Sequence, residues 1–155
     1  MSIPTLNLPH DFSEFLKSLN SHQVDYLLVG GYAVAYHGYP RYTGDIDIWI
    51  AVNPTNASRT TSALKDFGFD VPELSDEQFL EPNRMTRMGR EPIKIEILTS
   101  ISGLTFEEAR PNAIIHEHNG ISIPIIALAE LRKNKAASAR HKDLDDLENL
   151  PTESN

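Results

Sequence analysis

Apolar and polar residues recur along this chain with two different periods, and the switches between them mark out its elements. Phe12, Phe15, Leu16 and Leu19 fall at helical spacing around Asp11-Phe12-Ser13-Glu14, which reads as a capping box, so a helix is predicted near 11–21. Val24 to Val29 is a short, mostly apolar run bounded by glycine, as expected of a buried strand. The small residues between Gly31 and Tyr36 suit a helix packed closely on that strand. From Asp45 to Val52 the period becomes two, with Ile46, Ile48 and Ile50 on one face and acids on the other. Pro54 and Asn56 open a helix carrying Ala63, Leu64 and Phe67, and Gly68 ends it.

Pro72, Pro82 and Pro92 interrupt 71–92, which predicts a short strand, a helical turn at 75–81 and a loop. Alternation returns in Ile93–Leu98, where Glu96 shares a face with Lys94 and Leu98. A second capping box, Thr105 to Glu108, opens a short helix that stops before Pro111. Ala113–His118 and Ile121–Ile126 flank Asn119-Gly120, a strong hairpin signal. Helical patterning then runs from Ala127 through Ala139, with Leu128, Leu131 and Ala136 on related faces. A last helix near 142–150 carries Leu144, Leu147 and Leu150. This irregular mixing predicts an α/β or α+β fold, a mixed sheet flanked by helices with a helical pair at its C-terminal end. One domain over 1–150 and a frayed tail at 151–155 are expected from the length of 155 residues.

Composition narrows the functional classes. A hydrophobic content of 40% with 23% charged residues argues against disorder of the whole chain. The absence of cysteine excludes disulfides and thiolate metal ligands. Met1–Thr5 lacks the basic and apolar regions of a signal peptide, and no apolar run approaches the roughly 20 residues of a membrane span. A soluble cytoplasmic protein without a membrane partner is therefore expected. The formal charge of −8 argues against a broad basic surface for nucleic acid, yet a single nucleotide needs only a local cationic cluster.

The stretch from Gly30 to Ile50 carries the candidate chemistry. Gly30-Gly31 follows an apolar strand, where it permits close backbone approach and offers amide donors suited to a phosphate. Asp45 and Asp47 lie i, i+2 on one strand face, and two such carboxylates repel unless a cation lies between them. Glu96 adds a third acid on a second alternating strand. Together the three could hold Mg²⁺ or Mn²⁺ for in-line attack on phosphorus, chemistry that also needs cationic side chains nearby. Arg41, between the glycines and the aspartates, could approach a phosphate. Trp49 continues the acid face, where it could stack on a base or pack beside the site. His37 reads as a helix-end or packing histidine, and His116 and His118 as the polar face of a hairpin more than as a zinc pair. Arg132 and Lys135 share a helix face, with Lys133 beside them.

Gly30-Gly31, Asp45-Ile46-Asp47 and the later Glu96 resemble the nucleotidyltransferase superfamily with its polymerase-beta-like fold. Gly30–Ile50, Ile95–Gly103 and the stretch from Lys135 through Arg140, Lys142, Asp143 and Asp146 further resemble the small bacterial branch related to AbiEii-type toxins. The resemblance implies that Gly30 and Gly31 contact a triphosphate, that Asp45 and Asp47 bind metal, and that Glu96 is the third acid, nearest the acceptor hydroxyl. It implies that Lys135 and Arg140 neutralise phosphate, and that Asp143 orients those bases or contacts the nucleotide. The expected reaction moves a nucleoside monophosphate from an NTP to an acceptor hydroxyl on tRNA, protein or a small molecule. The alternative is a nucleotide-binding or antitoxin-like module acting through a toxin–antitoxin partner protein. Gly31 stands where many members have serine, Glu96 where aspartate is commoner, and no long helical domain follows.

Overall fold

A computed structural model of the chain describes residues 6–152, so Met1–Thr5 and the end of the expected tail, 153–155, lie outside the described residues. Element order is α1 (His10–Ser21), β1 (Tyr26–Val29), α2 (Gly30–Tyr36), β2 (Asp45–Ile50), α3 (Pro54–Phe67), β3 (Met85–Arg90), β4 (Ile93–Leu98), α4 (Phe106–Ala109), β5 (Ile114–His118), β6 (Ile121–Ile125), α5 (Leu128–Ser138) and α6 (His141–Asn149). The strands form one six-stranded mixed sheet in the order β3-β4-β2-β1-β6-β5. β1 runs antiparallel to β2 and parallel to β6, while β2 runs parallel to β4. None of the described helices is long and apolar enough to cross a membrane.

The period-two face of β2 does what its sequence demands. Ile46, Ile48 and Ile50 are fully buried in the core, while Asp45 and Asp47 remain partly accessible. Phe15 of α1 meets Phe67 of α3 edge-on at 5.4 Å between ring centroids, and Phe12 meets Tyr32 of α2 in the same way at 5.8 Å. Asn53 caps α3 by accepting from the Asn56 amide at 2.8 Å, with Pro54 in the first turn and Gly68 at the far end. Buried Asn56 donates to the carbonyls of Asp25 and Ala51 at 3.0 and 2.8 Å, fastening the start of α3 to the strands below it.

Four expectations are corrected. Asp11 and Glu14 form no capping box: α1 begins at His10 behind Pro9, whose side chain cannot cap. The interrupted segment has no strand near Val71; it makes a 3₁₀ turn over Asp76–Phe79 and then β3, in place of the expected loop. β3 escapes sequence detection because it is an edge strand, with Met85, Arg87, Gly89 and Arg90 exposed and no clear apolar alternation. In α5, Lys135 rather than Ala136 continues the buried stripe of Leu128 and Leu131. In α6 the inward residues are Asp143 and Asp146, whereas Leu144 is exposed. Apolar periodicity misassigns that face because the residues it buries are charged and paired with one another's neighbours.

Candidate active site

Strand register assembles the acids. β2 and β4 pair so that Asp47 lies beside Glu96 and Asp45 beside Lys94, and β3 places Arg87 beside Glu96. On the other flank β1 sets Val29 beside Asp47, and the chain then turns into α2 through Gly30. Gly30 has φ +71°, and a Cβ there would come within 2.8 Å of Asp47 Cγ and closer still to Oδ2. Glycine is thus required twice, for the left-handed backbone and for the carboxylate lying over it. A Gly30→Ala substitution should cost about 1–3 kcal/mol of stability in denaturant titration. It should also displace the Asp47 carboxylate, visible as a change in that side chain's NMR resonance.

Each acid is balanced in a different way. Lys94 Nζ stands 3.6 Å from Asp45 Oδ1. Arg87 donates to Glu96 Oε1 from Nε at 3.0 Å and from Nη2 at 2.7 Å. Burial, a proton shared with Glu96 and the charges of Glu96 and Asp45 push the Asp47 carboxyl up to about 8. Burial opposes ionisation of Glu96 too, but hydrogen bonds from Asp47 and Arg87 outweigh it and hold that carboxyl below its ordinary value. Asp47 Oδ1 is buried with no hydrogen-bond partner. An orphaned carboxylate oxygen beside two further carboxylates is a donor set that suits a hard divalent ion, and Asp45, Asp47 and Glu96 could hold one. As the side chains stand, no group of three among the described residues is arranged to do so.

These acids form part of the lining of a cavity of about 800 Å³. Gly30, Gly31, Arg41, Lys135 and Arg140 also line it, so of these residues, the three acids and Asp143, all but Asp143 meet there. Asp143 lies directly behind, fully buried, accepting from Arg140 Nε and Ser138 Oγ at 2.7 Å each. Lys135, 5% exposed, bridges Asp143 Oδ1 at 3.3 Å and Asp146 Oδ2 at 3.0 Å. Arg41 grips Asp146 with both prongs, Nε to Oδ1 at 2.8 Å and Nη2 to Oδ2 at 2.9 Å. Burial would raise both carboxyls, but these hydrogen bonds and the Lys135 charge hold them below the ordinary value. Lys135 and Arg41 therefore stand at the cavity with much of their charge already matched. Arg140 is more open, its side chain 66% exposed.

The structure adds residues that pattern did not single out as site residues. Arg87 enters with the unpredicted strand β3. Lys142 lines the cavity from the first turn of α6, is exposed, and makes no salt bridge among the described residues; its place inside the quoted C-terminal stretch was the available signal. Thr43 packs so closely on Gly31 that a Cβ there would come within 2.9 Å of Thr43 Cβ and closer still to its hydroxyl. Other candidates lie elsewhere. Trp49 is buried and packs edge-on against Phe106 at 5.3 Å, which leaves no face for a base. His37 donates to the Ile126 carbonyl at 2.7 Å. Arg132 reaches the carbonyls of Leu147 and Pro151 at 3.0 and 3.2 Å, so it anchors the end of α6 instead of facing a phosphate. His116 packs on Tyr36 with ring centroids 5.2 Å apart, and no third ligand completes a metal site with it and His118 among the described residues.

No family model and no curated protein matches the chain. Among solved structures it is similar to a Thermotoga maritima protein described provisionally as a nucleotidyltransferase. The two superpose with a TM-score of 0.60 over 88% of each chain, at 18% sequence identity. At that identity the likeness establishes the architecture: a nucleotidyltransferase-type mixed sheet flanked by helices and ending in a helical pair.

Proposed function

We propose that the protein is a metal-dependent nucleotidyltransferase, which moves a nucleoside monophosphate from an NTP to an acceptor hydroxyl. The observation that carries this reading is the side-by-side placement of Asp45, Asp47 and Glu96 on β2 and β4, at a cavity flanked by Gly30-Gly31 and cationic side chains. Asp45, Asp47 and Glu96 would hold Mg²⁺ or Mn²⁺. A bound divalent ion supplies charge neutralisation and acidifies an acceptor hydroxyl. The backbone amides of Gly30 and Gly31, at the cavity wall, would serve as donors to phosphate oxygens, and Arg140 and Lys142 offset the charge spread over them. Lys135 and Arg41, held by Asp143 and Asp146, keep that wall rigid, with much of their own charge matched. In the transfer, the acceptor oxygen bonds to the α-phosphorus, the bond to pyrophosphate breaks, and the hydroxyl proton leaves to a carboxylate or to water.

The reading is tested by incubating the purified protein with α-labelled NTPs and Mg²⁺ or Mn²⁺, together with tRNA, protein and small hydroxyl acceptors. Label should pass to one acceptor class, and the double substitution Asp45→Asn, Asp47→Asn should reduce transfer by more than about 10²-fold. Undiminished transfer by that variant would refute metal-dependent chemistry at these residues. No transfer to any acceptor, with NTP bound equally well by both proteins, favours a nucleotide-binding module. The resemblance of the stretch from Lys135 to Asp146 to AbiEii-type toxins supports a toxin–antitoxin setting for either activity.

A further inference from the structure

Of the three acids at the cavity, only Glu96 has its oxygen occupied by a guanidinium. Asp45 has Lys94 at 3.6 Å, too far for a hydrogen bond, and Asp47 Oδ1 has no partner. Glu96 Oε1 accepts two hydrogen bonds from Arg87, at 3.0 and 2.7 Å. The pairing follows from the register of β3 on β4, which sets the two residues directly across from each other. The partners differ in freedom: the Arg87 side chain is 56% exposed on the edge strand, while that of Glu96 is 12% exposed on an interior strand. Arg87 thus has more room to reorient than Glu96, and both line the cavity. A guanidinium and a divalent ion compete for the same carboxylate lone pairs.

We propose that Arg87 is a positioning residue that holds Glu96 while no divalent ion is bound and releases it when one binds, so that ion occupancy sets a guanidinium loose at the cavity wall. The proposal rests on the metal-dependent reading above, and its test separates the two. Mn²⁺ binding is followed by the loss of the free-ion EPR signal in the wild type, Arg87→Gln, Glu96→Gln and Asp45→Asn proteins. Arg87→Gln should bind about tenfold more tightly than wild type, and Glu96→Gln more weakly. Removing a nearby positive charge would also tighten binding somewhat, so a second readout follows the contact itself. The Arg87 Nε–H resonance, assigned by its absence in Arg87→Gln, should move on Mg²⁺ titration to the position of a solvent-exposed, unpaired arginine side chain. Its midpoint should coincide with that of ion binding. A resonance that stays in place at saturating Mg²⁺, or equal Mn²⁺ affinity in wild type and Arg87→Gln, overturns the role of Arg87 and leaves the metal reading standing. Absence of Mn²⁺ binding in all four proteins overturns both.

Discussion

Replacing Asp146 with alanine should lower the unfolding free energy by about 3–5 kcal/mol, the cost expected when one partner of a buried charge network is removed. Asp146 is 1% exposed and is shared by two cations, Lys135 at 3.0 Å and Arg41 through both prongs of its guanidinium. Its loss leaves Lys135, itself buried, with Asp143 alone, and unties Arg41 from α6. The effect is read from urea or thermal unfolding at pH 7. Its acid dependence has a definite sign. Folding depresses the carboxyls of Asp143 and Asp146 below their ordinary value of 3.8, so the folded state binds fewer protons than the unfolded chain there. Their stabilisation is complete above 3.8 and is lost as the pH falls through the lower folded values. The Asp146→Ala protein should accordingly show a flatter decline of stability on the acid side than wild type. An unchanged midpoint at pH 7 would show that the clasp contributes no net stability.

Asp47→Asn should have opposite effects on activity and on stability. Transfer should be lost with the metal ligand, as in the double variant, while the protein without divalent ion becomes more stable at neutral pH and above. The folded carboxyl titrates at about 8 against an ordinary value of 3.8, so between those values the folded state binds more protons. Stability therefore falls as the pH rises from about 4 to about 8, and asparagine removes that penalty. A tenfold difference in proton affinity corresponds to about 1.4 kcal/mol. Glu96 moves in the opposite direction and returns part of the penalty, which leaves a gain on the order of 1–3 kcal/mol at pH 8. Melting temperatures of the two proteins in chelator, measured from pH 5 to 9, should diverge as the pH rises. Parallel curves would contradict the burial and crowding of Asp47 described above.

Much of this arrangement is legible in the sequence because strand alternation is a local property. Ile46, Ile48 and Ile50 fix the buried face of β2 and so aim Asp45 and Asp47 to the other side, and Ile95 and Ile97 do the same for Glu96. What pattern cannot supply is an edge strand with one exposed face and one only half-buried. β3 exposes much of its length and so gives no alternation to detect, and Arg87 is hidden with it. The C-terminal helices mislead in the opposite way. Lys135, Asp143 and Asp146 are buried because they satisfy one another across two helices and a distant loop, and that compensation cannot be seen in the periodicity of any single helix. Hydrophobicity points instead to Ala136 and Leu144.

The Arg41–Asp146 clasp joins residues 105 positions apart in the chain. During synthesis the polypeptide emerges from its N-terminal end at about 5–20 residues per second, so roughly 5–20 s separate the appearance of the two partners. Until then the segment between α2 and β2 has its guanidinium but lacks the carboxylate that seats it. The strands bearing Asp45, Asp47 and Glu96 can pair earlier, so the nascent protein gains its acids first and the wall that faces them last. A chain that ends before α6 lacks the Asp146 carboxylate and so cannot close the clasp.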